Sequence, residues 1–122
     1  MAVFGTHLLL YSSEPEALRA MLRDTFGFSN VDAGDGWLIF AMPPAEMGVH
    51  PAEGGLTHQV SFMCDDIDAT VADLRGKGVR IEGEPKDEGW GITVLMELPG
   101  DARVLLYQPR HPVAISTAGK SR

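Results

Sequence analysis

Phe62-Met63-Cys64-Asp65-Asp66-Ile67-Asp68-Ala69-Thr70-Val71-Ala72-Asp73-Leu74 is the stretch on which the fold turns. The run from Gln59 to Cys64 reads as a strand. Asp65-Asp66 then offer carboxylates to the free N–H groups of a helix start, where acids also favour the helix dipole. Behind them Ile67, Thr70, Val71 and Leu74 fall on one helical face, and Gly76 and Gly78 end the run. Capping accounts for the paired carboxylates without any acid–base role.

Outward from this stretch the same order of elements occurs twice. Downstream lie short strands at Val79–Ile81, Gly91–Leu98 and Arg103–Tyr107, the last two joined by a Pro99-Gly100-Asp101 turn. Glu82, Glu84, Asp87 and Glu88, interrupted by Gly83, Pro85 and Gly89, read as a solvated acidic loop. Upstream, His7–Tyr11 is a short strand-like run. Ser12-Ser13-Glu14-Pro15-Glu16 has the hydroxyls, proline and acids of a helix start. Leu18, Met21, Leu22 and Phe26 follow at helical spacing, and Gly27 stops them. Asp32-Ala33-Gly34-Asp35-Gly36 is a hairpin turn. Trp37–Met42 and Glu46–His50 read as strands, separated by Pro43-Pro44. A displacement of 52 lays Glu14 on Asp66, Glu16 on Asp68, Ala17 on Ala69, Ala20 on Ala72 and Leu22 on Leu74. By the module ends the displacement is 58, which lays Pro51 on Pro109. The chain therefore reads as one α+β domain over residues 1–110, built of two βαβββ modules at about 5–51 and 57–109. Pro51-Ala52-Glu53-Gly54-Gly55 links them, and residues 111–122 form a loose C-terminal tail. Neither half is large enough to bury a core alone, so the two are expected to share one sheet system.

The composition narrows the function. In 122 residues, Lys and Arg number 10 and Asp and Glu 17, a net charge of −7. An acidic chain without a basic cluster is a poor partner for nucleic acid, whose binding depends on neutralising phosphates. No stretch approaches the ~18 apolar residues of a membrane helix. The start lacks the basic region of a signal peptide. The single cysteine, Cys64, makes neither an intramolecular disulfide nor a Cys-rich zinc site. These features point to the cytoplasm. No phosphate loop, HExxH or GxSxG motif is present.

Paired βαβββ modules of this size resemble the vicinal oxygen chelate superfamily. That family includes glyoxalase I, extradiol dioxygenases, methylmalonyl-CoA epimerase, and fosfomycin and bleomycin resistance proteins. The resemblance rests on His7 to Gly27, on Phe62 to Leu74 and on Glu88-Gly89-Trp90-Gly91. Leu98-Pro99-Gly100-Asp101 and Leu106-Tyr107-Gln108-Pro109 complete it, so that it covers about residues 5 to 110. It implies curved mixed sheets around a pocket, often completed in a homodimer. It also implies a divalent metal (Fe, Mn, Ni or Zn) held from the first and fourth strand of each module. Carried onto this sequence, the ligand positions are His7, Met47, Gln59 and Leu105. A hard cation wants oxygen or imidazole donors. Met47 and Leu105 supply none, so no metal cofactor is expected. Glu46, His50, His58 and Gln108 are out of phase by an odd number of residues, which sends a side chain to the other face of a strand. A bulge restores phase locally; in that alternative His7, Gln59, Glu46 and His50 are the candidate ligands.

Alternation along the strands places Tyr11 with His7, Ser61 and Met63 with Gln59, and Tyr107 with Leu105. The expected ligand pocket is thus His7, Tyr11, Met47, Gln59, Ser61, Leu105 and Tyr107, an apolar concavity with a few separated polar groups. The same residues also suit a filled core. Trp37 and Trp90 suit either stacking on an aromatic ligand or sheet packing. Catalytic residues are not identified. The resemblance and the lost donors point to a metal-independent small-molecule binding protein of sequestering or resistance type, and the net charge favours a cationic ligand. The alternative is a metal-dependent glyoxalase, lyase, isomerase or extradiol dioxygenase acting on a bidentate oxygen substrate. A two-fold homodimer is expected, with the pocket near the subunit boundary.

Overall fold

Asp66 caps a helix, as its position predicts: its Oδ1 accepts from the Ala69 amide at 3.1 Å. This comes from a computed structural model that describes residues 7–55 and 57–114. Its elements are helix α1 (Pro15–Asp24), strands β1 (Asn30–Asp32), β2 (Leu38–Phe40) and β3 (Ser61–Met63), helix α2 (Ile67–Gly76), and strands β4 (Arg80–Asp87), β5 (Gly91–Leu98) and β6 (Ala102–Pro109).

Helix α2 buries Ile67, Val71 and Leu74. Gly78, at φ 88°, ends it in a left-handed turn, with the Val79 amide donating to Leu74 O and the Gly78 amide to Arg75 O. That double closure satisfies carbonyls the helix leaves free. At the other end the Gln108 side-chain oxygen accepts from the Ile67 amide at 2.8 Å, tying α2 to β6.

The second module forms a mixed sheet in the order β3-β6-β5-β4. β3 runs parallel to β6, and the other pairs are antiparallel. Val94, Met96 and Leu98 on β5 and Ala102, Val104 and Leu106 on β6 alternate onto the helix side and make the core with α2 and Leu18. Residues 82–87 are not a loop. They belong to the edge strand β4, whose register shifts between Glu82 and Lys86 around Gly83 and Pro85. An edge strand tolerates proline at such an irregularity. Its acids are partnered: Glu82 faces Arg103, Glu84 faces Arg75 and Asp87 faces Arg110.

The first module departs from the expected pattern. β1 and β2 form the expected hairpin, but they stand as a separate two-stranded sheet, so the modules do not share one sheet. His7–Tyr11 and Glu46–His50 belong to no strand. The reason lies in side chains. In the second module the first strand pairs only with the fourth, and the fourth is anchored by Ala102, Val104 and Leu106. The displacement of 58 puts Pro44, Glu46 and Gly48 at those positions. Without an apolar anchor facing the helix, residues 46–50 form no ladder, and 7–11 have none to join.

The modules meet at the start of α1. Ser12 Oγ donates to Pro99 O at 2.7 Å, and the Gly100 amide donates to Glu14 Oε2 at 3.1 Å. Glu14, not a serine, is the N-cap residue of α1, and its side chain makes no cap bond within the helix. Phe26 and Phe28 pack edge-on against Phe62 of β3, at 5.3 and 5.7 Å between ring centroids.

Candidate functional site

Pro15, Leu18, Arg19 and Leu22 recur at the spacing of one face of α1, and all four face a cavity. Its other walls are the extended segment His7–Ser12, strand β2 with Trp37 and Met42, and the rings of Phe28 and Phe62. The cavity measures about 450 Å³, the size range of small-molecule sites. Its lining is apolar apart from His7, Tyr11, Ser12, Arg19 and the Trp37 indole. The Arg19 guanidinium lies over the Trp37 ring, 4.7 Å from its centroid.

A second group of side chains lies on the other face of the four-stranded sheet. Phe62 points to the cavity, so its neighbours Ser61 and Met63 point away from it. Ser61 pairs with Leu105 and Met63 with Tyr107, in parallel register. Tyr107 donates to, or accepts from, His111 Nε2, and its ring meets Trp90 edge-on at 5.3 Å. Gly91 makes room for this ring: a Cβ there would strike Tyr107. Partial burial, and secondarily the Glu46 carboxylate, hold the Tyr107 phenol above its ordinary range. Burial likewise pushes the Cys64 thiol up, with Asp65 and Asp66 adding to it, which leaves no activated thiolate.

The seven residues expected to line one pocket are therefore divided. His7 and Tyr11 line the cavity beside α1. Ser61, Leu105 and Tyr107 share the far face of the sheet. Gln59 is exposed, and Met47 is 89% exposed. The candidate metal positions do not fit a hard divalent cation. Met47 and Leu105 carry no donor for one, Glu46 accepts from the Ala114 amide, and the His50 Nδ1 bonds to Pro51 O. Among the described residues, no three His, Cys, Asp or Glu side chains come together around a point that would hold an ion.

Arg19, Leu22, Phe28 and Phe62 were missed by sequence reasoning. The helical period of α1 carries the first two, but an arginine on an amphipathic helix reads as a solvent-facing residue. His111 falls in the expected tail, yet it meets Tyr107, four residues earlier.

The sequence model of the Glyoxalase/Bleomycin resistance protein/Dioxygenase superfamily matches residues 6–101. No curated protein matches the sequence. Among solved structures, TnmS3, an antibiotic binding protein from Streptomyces sp. CB03234, is 26% identical with a TM-score of 0.65, over 89% of this chain and 98% of that one. A glyoxalase/bleomycin resistance protein from the same organism is 26% identical with a TM-score of 0.56, over 81% and 95%. Lactoylglutathione lyase from Agrobacterium tumefaciens is 19% identical with a TM-score of 0.59, over 88% and 92%, a likeness of fold.

Proposed function

Since the chain belongs to the Glyoxalase/Bleomycin resistance protein/Dioxygenase superfamily, and its cavity is of ligand size, we propose that it is a small-molecule binding protein of the sequestering, antibiotic-binding kind. The observation that carries this reading is the 450 Å³ cavity, apolar with a few spaced polar groups and one cation. A site of that make-up holds a ligand by burial and orients it by a few polar contacts. Among the described residues, its lining carries no Asp or Glu. The likeness to TnmS3 supports the same reading. Binding proceeds without a metal, because the family positions carry Met47 and Leu105.

The protein works in the cytoplasm and as a homodimer. Leu8, Leu9, Tyr11, Met47 and Val49 are exposed, the last 92% exposed. Among the described residues, segments 7–11 and 47–50 belong to no strand. Exposed apolar segments outside any strand invite association. A second copy covers them and puts the cavity, whose wall is segment 7–12, at the subunit boundary.

Thermal unfolding against cationic, aromatic and glycopeptide antibiotics tests the binding reading. A ligand at a hundred times its Kd adds about 2.7 kcal/mol, a rise of several degrees in Tm. Such a rise, unchanged by a chelator, is the expected result. Flat melting curves across all three sets, or a stoichiometric metal in the purified protein, count against it.

A further inference from the structure

We propose that the cavity beside α1 takes a planar, apolar molecule carrying one acidic group, with Arg19 as the partner of that group and Trp37 as the stacking surface. The proposal rests on the small-molecule reading above and names the class of ligand.

The charge pattern of the whole chain leads to it. Carboxylates outnumber cations, and every other Lys and Arg among the described residues stands within 4.0 Å of a carboxylate. Arg19 does not. Glu16 lies three residues before it, at a spacing that favours an ion pair on a helix. The guanidinium turns instead over Trp37, on the lining of the cavity. A half-buried guanidinium whose five N–H donors meet no carboxylate is a ready fork for a planar anion. Among the described residues Arg19 is also the one Lys, Arg, Asp or Glu on that lining. The Trp37 side chain is 54% exposed and lines the cavity, which suits it to stack on a planar group. Leu8, Leu9, Leu22, Ile39 and Phe40 leave the rest of the ligand an apolar bed.

The net charge of −7 favours cations at long range, but salt screens it over about 8 Å at physiological ionic strength. Inside the cavity the nearest charge decides. A cationic ligand would meet Arg19 with no carboxylate among the described lining residues to offset it.

Three probes of one shape test the proposal: 2-naphthoate, 2-naphthamide and 2-naphthylmethylammonium. Each is titrated calorimetrically into the full-length chain, with indole fluorescence as a second readout. The acid is expected to bind at least about tenfold more tightly than the amide, as a charge-assisted pair implies, and the ammonium most weakly. In Arg19→Gln the acid falls to the level of the amide while amide binding holds. In Arg19→Lys part of the preference remains. Arg110→Gln, which removes a guanidinium outside the cavity, leaves all three affinities unchanged. Urea midpoints equal to the native one show that the variants are folded. Equal binding of acid and amide, or a preference that survives Arg19→Gln, overturns the ligand class and leaves the binding reading standing. Failure of all three probes to bind overturns both.

Discussion

Gly100 admits no side chain. Its φ of 77° lies in the left-handed region, and a Cβ there would sit 2.7 Å from the amides of Ser13 and Glu14 and collide with Ser12 Oγ. Gly100→Ala therefore strains the turn and pushes α1 off it, and urea unfolding should show a loss of about 1–3 kcal/mol. Tyr107 gives a pH prediction. Its folded-state pKa is raised, so the native state holds the phenol proton more tightly than the unfolded chain does. The stabilisation is fully present below the ordinary tyrosine pKa of about 10 and is lost as pH rises through the higher folded value. Phenolate absorbance should show a component titrating above the usual range, and Tyr107→Phe should remove it while flattening the alkaline limb of stability. Single residues differ in how far the sequence reveals them. Asp66 was legible because a cap works through its own next three residues. Arg19 was not, because its meaning depends on Trp37, 18 positions away, and on a carboxylate it fails to meet.

Helix α2 is the element whose every part was readable, from cap to buried face to terminal glycine. Asp66→Ala removes the bond to the Ala69 amide and should cost about 1 kcal/mol by chemical denaturation. Leu74→Ala opens the core beneath the same helix and should cost about 2–5 kcal/mol. The strands were less legible, because pairing is set by partners distant in sequence. β5 matched its expected limits, since both its faces are largely covered. β4 runs longer than expected because ion pairs with Arg75, Arg103 and Arg110 hold acids that look solvated in a list of residues. Segment 46–50 looked like a strand because Met47 and Val49 alternate. Yet the opposite phase, Glu46 and Gly48, offers nothing to a core. Alternation gives a face and not what covers it, so it does not place a cavity beside α1.

At the scale of the molecule, the proposed second copy would cover apolar residues that one chain leaves open. Sedimentation equilibrium at micromolar concentration should give twice the 13.2 kDa of the chain. The double substitution Met47→Lys with Val49→Lys should shift the mass toward that of one chain; a native protein that sediments only as a monomer contradicts the assembly. The family assignment was reachable from the order of elements and the Asp66 cap, which local chemistry fixes. The ligand was not, because it depends on a surface gathered from α1, β2 and the segment before them. The most direct test of small-molecule binding without a metal is therefore a titration of the isotope-labelled protein with 2-naphthoate, followed by amide and indole NMR shifts in the presence of a chelator. Binding in the cavity predicts saturable shifts at Leu9, Arg19, Leu22 and Ile39 and at the Trp37 indole N–H. Shifts confined to Leu95, Leu105 and Tyr107 on the far face of the sheet, shifts abolished by the chelator, or no shifts at all would contradict it.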